Sequence, residues 1–348
     1  MAYEIGGVGT IAELTDFYRS MKLDTSTIEL MNQVNDILSD IPFREANSLK
    51  GHETRVRTGL PDVYFRRLYR GTPLSRSQYS RVVEGIGMLE ARMELDVKEK
   101  ELYGATFNAY RLQEGKAFME ALRQKTAELM FYGDHSTLAD EFDGFATRYN
   151  DLGNPHVIDA SSEGDSDGNG NTSMYLVAWG PDTVHGIFPK ESIGGLKHTD
   201  LGMYVTTDSE ARKFEVFGDL WSWNVGLAVR DWRAVVRICN IPVNRLYEDR
   251  VIASDEGSSA GAKLNEKYID FRKLLIQAKN LIPNQYRNRT ILYCNEEVMT
   301  ALEVQASDTK NVHLHYGEYF GSKSVPYVHS IPIRQCDVIK NDEPKVSA

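Results

Sequence analysis

The chain has 348 residues, 41% hydrophobic and 26% charged, with a formal net charge of −10. That is the composition of a globular protein long enough for two or three modules with cores of their own. No window holds about 18 consecutive apolar residues, which excludes a membrane-spanning helix, and MAYEIGGVGT at the start lacks the basic segment and apolar run of a secretory leader. Cys239, Cys294 and Cys336 are odd in number, far apart and form no C-x-x-C pair, so they read as small buried apolar residues of a reducing compartment.

The charge is unevenly spread. Residues 1–42 hold seven acidic side chains against Arg19 and Lys22, a net of −5, whereas residues 43–81 hold nine basic ones against Glu45, Glu53 and Asp62, a net of +6. An acidic segment beside a basic one fits nucleic acid on one hand and charge pairing between copies of one protein on the other.

In chain order, residues 1–24 show weak periodicity. Ser26 and Glu29 have capping-box spacing, and Leu30, Met31, Val34, Ile37, Leu38 and Ile41 follow at helical intervals up to Pro42. Residues 43–95 alternate with a period of two: HETRVRTGL sets Arg55 and Arg57 opposite Thr54, Val56 and Thr58, and VYFRRLYR and YSRVVEGIGMLEARMEL continue the pattern. This predicts a long two-stranded excursion reaching roughly 50 Å. A lone hairpin is marginal in water, so a partner surface is implied, most simply another copy.

Gly104 interrupts the chain, and Phe107, Tyr110, Phe118, Ala121, Leu122 and Leu129 then fall on one stripe of a predicted helix of about 25 residues. Beyond residue 155 the chain reads mostly as strands rich in aromatic and β-branched residues. SDEGSSAGA (254–262) reads as a loop, and Leu264, Tyr268, Phe271, Leu275 and Ala278 as a helix ended by Pro283. RTILYC reads as a strand, Asn295 as the cap of a short helix, SVPYVHSIPIRQCDVI as the last strands, and KNDEPKVSA as a fraying tail.

Several stretches resemble chemical sites. GDSDGNGNTS (164–173) spaces Asp165, Asp167 and Asn169 like a calcium loop. Its twelfth position, where a carboxylate is required, is Leu176 inside a strand pattern, so a tight turn is the better reading. GSSAG (257–261) fits G-x-S-x-G around Ser259, but polar ASDE precedes it where an apolar strand is needed. His313 and His315 share a strand face without a third ligand. Trp221 and Trp223 share a face, which suits a core or a subunit interface better than a ligand cage. Around the arginine-rich excursion, Tyr64, Phe65 and Tyr69 could stack on bases. The acidic chain as a whole and the acidic arm beside it favour protein–protein contact.

The order of parts resembles the major capsid proteins of tailed bacteriophages, the Hong Kong 97-like fold, and within it the GP7-like family. The phrases that carry the likeness are VRTGLPDVYFRRLYRG (56–71), GIGMLEARMELD (85–96), EGKAFMEAL (114–122), LMFYGD (129–134), NTSMYLVAWGPDTVHGIFPK (171–190), GLAVRDWRAVVRICNI (226–241) and IPIRQCDVI (331–339). The resemblance implies an α+β chain. Residues 1–42 would be an N-terminal arm, 43–95 an extended β-hairpin loop lying across a neighbour, and 96–240 a peripheral domain with a spine helix at 105–132. Residues 241–311 would be an axial domain and 312–348 strands returning to the core.

It implies a coat protein, not an enzyme, with no cofactor, metal or membrane. Hexamers and pentamers would form an icosahedral shell around double-stranded DNA held without sequence-specific binding. The shell would be assembled in the host bacterial cytoplasm with separate scaffolding and portal proteins, a decoration protein being a further candidate. Arg55, Arg57, Tyr64, Phe65, Arg66, Arg67, Tyr69 and Arg70, with Asp36 and Asp40, are the candidate contacts between subunits. Some relatives join subunits by a Lys–Asn isopeptide bond; Lys50 lies in the loop, but no acid catalyst for such a bond is in view. The alternatives are an encapsulin-like compartment of the same fold and a serine hydrolase at Ser259.

Overall fold

The computed structural model describes residues 33–48, 51–161, 170–192, 194–248, 251–252, 263–264, 268–307, 314–319, 322–328 and 330–347. A helical turn α1 (Ile37–Asp40) leads to strands β1 (Phe43–Glu45), β2 (His52–Gly59), β3 (Gln78–Glu84) and β4 (Gly87–Asp96). Helices α2 (Val97–Tyr103), α3 (Phe107–Tyr132) and α4 (Phe145–Arg148) follow, and then β5 (Val157–Asp159), β6 (Asn171–Ala178), β7 (Val184–Phe188), β8 (Lys197–Thr207), β9 (Lys213–Val229) and β10 (Val235–Pro242). The remainder holds β11 (Val251–Ile252), β12 (Lys263–Leu264), α5 (Phe271–Leu281), β13 (Thr290–Cys294), α6 (Glu296–Ser307), β14 (Leu314–Tyr319), β15 (Ser322–Val328) and β16 (Ile331–Gln335). The chain divides into two compact units: a smaller one with Ala91–Glu120 and His198–Trp221, and a larger one with Gln33–Glu90, Ala121–Lys197 and Ser222–Ala348.

The larger unit is built on a seven-stranded sheet in the order β14-β15-β16-β13-β6-β10-β5. Every residue of β6, β10 and β13 is buried. That is why NTSMYLVA and VVRICNIP read as runs rather than as alternations: strands covered on both faces have no polar side to show. β6 runs antiparallel to β10 and β13, while β5 and β16 add on as parallel neighbours. The register slips between Ile238 and Ile241, where Asn240 takes φ 56°. Its amide satisfies that bulge, donating to Asp159 and to the Val346 carbonyl and accepting from the Val346 N–H.

The C-terminal tail does not fray as the sequence suggests. Glu343 is 4% exposed and pairs with Arg237 of β10 at 2.8 Å. It also accepts from Tyr132 and Ser173, while Arg237 donates further to the carbonyls of Ala146 and Tyr149. The polar composition of KNDEPKVSA concealed this, because its one buried carboxylate has its partner a hundred residues upstream.

Two helices are shorter than predicted. Of the stretch from Ser26 to Ile41, residues before 33 lie outside the described ones. At 33–36 the chain instead bridges to the end of the sheet, Asn35 to Cys336, with the Val34 N–H on Asp337, and only Ile37–Asp40 is helical. α5 begins at Phe271 because Asp270 caps it through the Lys273 N–H, and Leu264 is used in β12 against Val251. α5 then buries Phe271, Leu275 and Ala278, one face of a helix. Asn295 caps α6 through the Val298 N–H as its position predicts.

A second sheet runs β1-β7-β9-β4, with β8 also on β9. α3 spans 26 residues, about 39 Å at the helical rise, and Gly104 at φ 52° separates it from α2. In the smaller unit its first half packs by aromatic contacts: Tyr103 stacks on Tyr110 at 4.4 Å, Phe107 meets Phe217, and Phe118 stacks on Trp221. Gly115 sits in mid-helix, where it costs about 1 kcal/mol relative to Ala. A Cβ there would stand 3.0 Å from the Trp221 ring. Arg111 grips Asp219 with a two-pronged contact at 2.6 and 2.7 Å, and His198 adds a third bond to that buried carboxylate.

Cys239, Cys294 and Cys336 are buried and free, with burial pushing the thiols of Cys239 and Cys294 up to about 12. They serve as core atoms rather than nucleophiles. Glu343→Ala strands the Arg237 charge in the core. It is expected to cost about 3–5 kcal/mol, read as a fall in urea unfolding free energy that Ser347→Ala does not share.

Candidate assembly interface

β2 and β3 form an isolated two-stranded sheet in the larger unit, paired from His52↔Glu84 to Gly59↔Gln78. Residues 60–77 carry neither strand nor helix. The predicted excursion is therefore a shorter ladder topped by an irregular arch. Pro61 and Pro73 flank VYFRRLYR and end the ladder on either side of it, since proline cannot donate to a ladder, and β4 is not in the hairpin at all but lies beside β9.

The arch exposes its apolar side chains. Leu60 is 79% exposed, Val63 94%, Phe65 106%, Leu68 88%, Tyr69 102% and Leu74 103%. Tyr69 also takes φ 65°, a left-handed conformation that bulky residues rarely adopt, closing a turn in which the Arg70 N–H donates to the Arg67 carbonyl. The ladder is fastened across its width by Arg81 to Glu53 and by Arg57 to the Tyr79 hydroxyl.

The structure brings the predicted contact residues together in part. Arg55 and Arg57 stand exposed on β2, and Tyr64, Phe65, Arg66, Arg67, Tyr69 and Arg70 are all exposed in the arch. Asp36 and Asp40 lie elsewhere in the larger unit and are engaged within it. Arg334 pairs with Asp40 at 3.1 Å and Asp36 at 3.5 Å, and the Tyr293 hydroxyl donates to Asp40. Burial pushes the Asp40 carboxyl up, against the pull of Arg334 and Tyr293. Any share of the arm in charge pairing between copies falls on the residues before 33, outside the described ones, as do Lys50, Asp165, Asp167, Asn169, Ser259 and His313. Of the two strand histidines, His315 is placed in β14 opposite Tyr327. Among the described residues no cluster of three His, Cys, Asp or Glu could hold a metal ion, and no helix is long and apolar enough to cross a membrane.

The root of the hairpin holds residues that sequence reasoning missed. Glu84, 5% exposed, takes a two-pronged contact from Arg148, one prong at 2.9 Å. Gly51, at φ 139°, lies so close that a Cβ would stand 2.1 Å from the Glu84 carbonyl. His52 of β2 meets the buried His185 of β7 edge to face at 5.2 Å. Burial, the His52 ring, Arg230 and Arg44 hold the His185 imidazole down at about 4. Burial and Arg230 also depress His52, with Glu84 opposing. No sequence pattern pairs two histidines 133 positions apart.

The sequence profile of the family described as Major capsid protein GP7 matches residues 21–347. Comparison with curated proteins finds no match. Among solved structures, the chain is similar to one from bacteriophage Epsilon15, at 25% identity and TM-score 0.70, covering 100% of each chain. It also aligns with the SrpI encapsulin of Synechococcus elongatus PCC 7942 at 12% identity and TM-score 0.42, over 70% of this chain and 100% of that one. A chain from Mycobacterium phage Adephagia aligns at 7% identity and TM-score 0.41, over 68% and 98%.

The histidine pair makes the root acid-sensitive. Because the folded pKa lies below the unfolded value of about 6.5, the unfolded chain takes up protons first as pH falls. Stability is then lost from about pH 6.5 downward, levelling off near pH 4. Urea unfolding is expected to weaken by about 1–3 kcal/mol between pH 7.5 and 4.5, with a flatter profile for His185→Phe; equal slopes would remove His185 as the cause.

Proposed function

Since this chain belongs to the Major capsid protein GP7 family, we propose that the β2–β3 hairpin is where one copy grips the next. The protein is a structural coat protein of Hong Kong 97-like α+β fold that assembles with its own kind into the shell of a phage and resides in the virion. The observation that carries the proposal is the arch: six large apolar side chains that none of the described residues covers, standing among Arg66, Arg67, Arg70 and Arg76.

Apolar patches of this kind on a soluble chain mark an interaction surface. Covering Phe65, Leu68 and Leu74 on a neighbour would contribute on the order of 5 kcal/mol or more before ordering costs. A shell multiplies that contact over every subunit, so stability depends on concentration. In this reading residues 1–42 are an arm and 43–95 the extended-loop region, of which the β2–β3 hairpin (52–84) is the part that crosses a neighbour. Residues 96–240 form the peripheral part with the spine helix, 241–311 the axial part at capsomer centres, and 312–348 the return to the core. Hexamers and pentamers build an icosahedral shell around double-stranded DNA in the host cytoplasm, with scaffolding and portal proteins supplied separately and a decoration protein as an addition. What supports the charge-pairing half is the net of +6 over 43–81 beside −3 over 1–32, the part of the arm whose acids Arg334 does not claim.

Paired attraction of this kind weakens with salt. Arg66→Glu/Arg67→Glu is expected to slow assembly at low salt and to flatten its salt dependence, followed by light scattering and sedimentation. Assembly indifferent both to the exchange and to salt would refute the pairing. A Leu68→Asp/Leu74→Asp chain that still forms shells would refute the apolar contact.

A further inference from the structure

Beneath the arginine face of β2 the larger unit has a second polar feature, a pit of about 470 Å³. Arg55 and Arg57 come from the hairpin, and Arg230 and Arg233 from the segment after β9; Asp182 and Asp231 also line it, so four cations face two anions. Asp231 is taken up by Arg233, which donates to both its oxygens. Arg230 donates to the Pro181 carbonyl and stands 3.5 Å from Asp182, whose side chain is 80% exposed. Arg57 is used by the Tyr79 hydroxyl. The Arg55 side chain has no hydrogen bond or ion pair among the described residues.

Thr54 lines the same pit but is 7% exposed and lies on the strand face opposite Arg55, so its hydroxyl, which has no hydrogen-bond partner among the described residues, is closed off from an occupant. One side of the pit is the exposed ring of Trp232, an apolar wall suited to the methylene stem of an acidic side chain.

We propose that this pit receives an aspartate or glutamate carboxylate from a second copy of the chain, bound by Arg55. The inference rests on the assembly reading above and locates one of its contacts at the base of the hairpin rather than at its arch. A single carboxylate fits better than a nucleic-acid backbone. Duplex DNA brings one charge per about 1.7 Å, and the protruding Asp182 opposes a continuous run of phosphates while leaving room for one acid. The chain has acids to offer, 50 Asp and Glu against 40 Lys and Arg. Charge-assisted pairs to guanidinium are the strong and geometrically selective kind.

Arg55→Lys subunits, half grown in light nitrogen and half in heavy, are assembled together and treated with a water-soluble carbodiimide, which joins an amine to a carboxylate it already contacts. About half of the linked peptides carrying the introduced amine are expected to join a light copy to a heavy one, as random mixing of subunits in the shell requires. Links only within one copy, for instance to Asp182, or no links in shells that have formed, would overturn the proposal. Unsubstituted protein gives a second reading through phenylglyoxal, which modifies exposed arginines. Arg55 is expected to react about tenfold more slowly in shells than in dissociated subunits, a difference of about 1.4 kcal/mol, and the protection should survive nuclease digestion of the contents. Equal reactivity would refute the site, and protection lost with the nucleic acid would assign it to phosphate instead. Shells that form with an unoccupied pit sink only this inference, whereas failure of the unsubstituted chain to form shells under any condition sinks the assembly reading as well.

Discussion

The β2–β3 hairpin carries more apolar surface than its two strands can cover. Two strands joined by a ladder present both faces to whatever surrounds them, and the arch beyond the ladder places Phe65, Leu68, Tyr69 and Leu74 in the open. None of the described residues relieves that exposure. In the proposed reading the free energy of covering those side chains is collected on another copy, the most abundant surface available to a coat protein.

That constraint gives meaning to the rigidity at the hairpin's base. Glu84 held by Arg148, the close approach at Gly51, and the His52–His185 contact fix where the two strands leave the body. A projecting element with a loose root would lose in orientation what its tip gains in contact. The same logic runs through the interior of the larger unit. Arg237 and Glu343, both about 4% exposed at the side chain, tie the C-terminal residues to β10, the strand next to the β5 edge of the sheet. Buried ion pairs of this sort add little net stability over an apolar core but are costly to break, so they define one arrangement of the parts rather than strengthen every arrangement.

Much of this was legible from residue patterns. Period-two alternation located β2, the 3.6-residue stripe located α3, and Asn295 marked the start of α6, because these signals are local and their physics is local. The family likeness rested on short phrases in a fixed order. What stayed hidden depends on contacts between distant residues. KNDEPKVSA looks like a solvated end because nothing near Glu343 in sequence reveals Arg237. The first arm residues look helical through Asp36, yet Asn35 is drawn into a bridge with Cys336. Leu264 fits a helical stripe but pairs with Val251. Among the candidate contacts, the arginines and aromatics of the hairpin are exposed, as a polar, arginine-rich stretch leads one to expect. Asp36 and Asp40 carried the right charge, but Arg334, nearly three hundred residues away, already claims them.

The central claim is that residues 60–77 complete their burial only on a neighbouring copy. Hydrogen–deuterium exchange on dissociated subunits and on purified shells of the same protein tests it most directly. The account predicts fast exchange through the arch in subunits and protection there of at least about a hundredfold, some 2.7 kcal/mol, once shells form. Exchange at the same rate in both states, with protection confined to other segments, would contradict it.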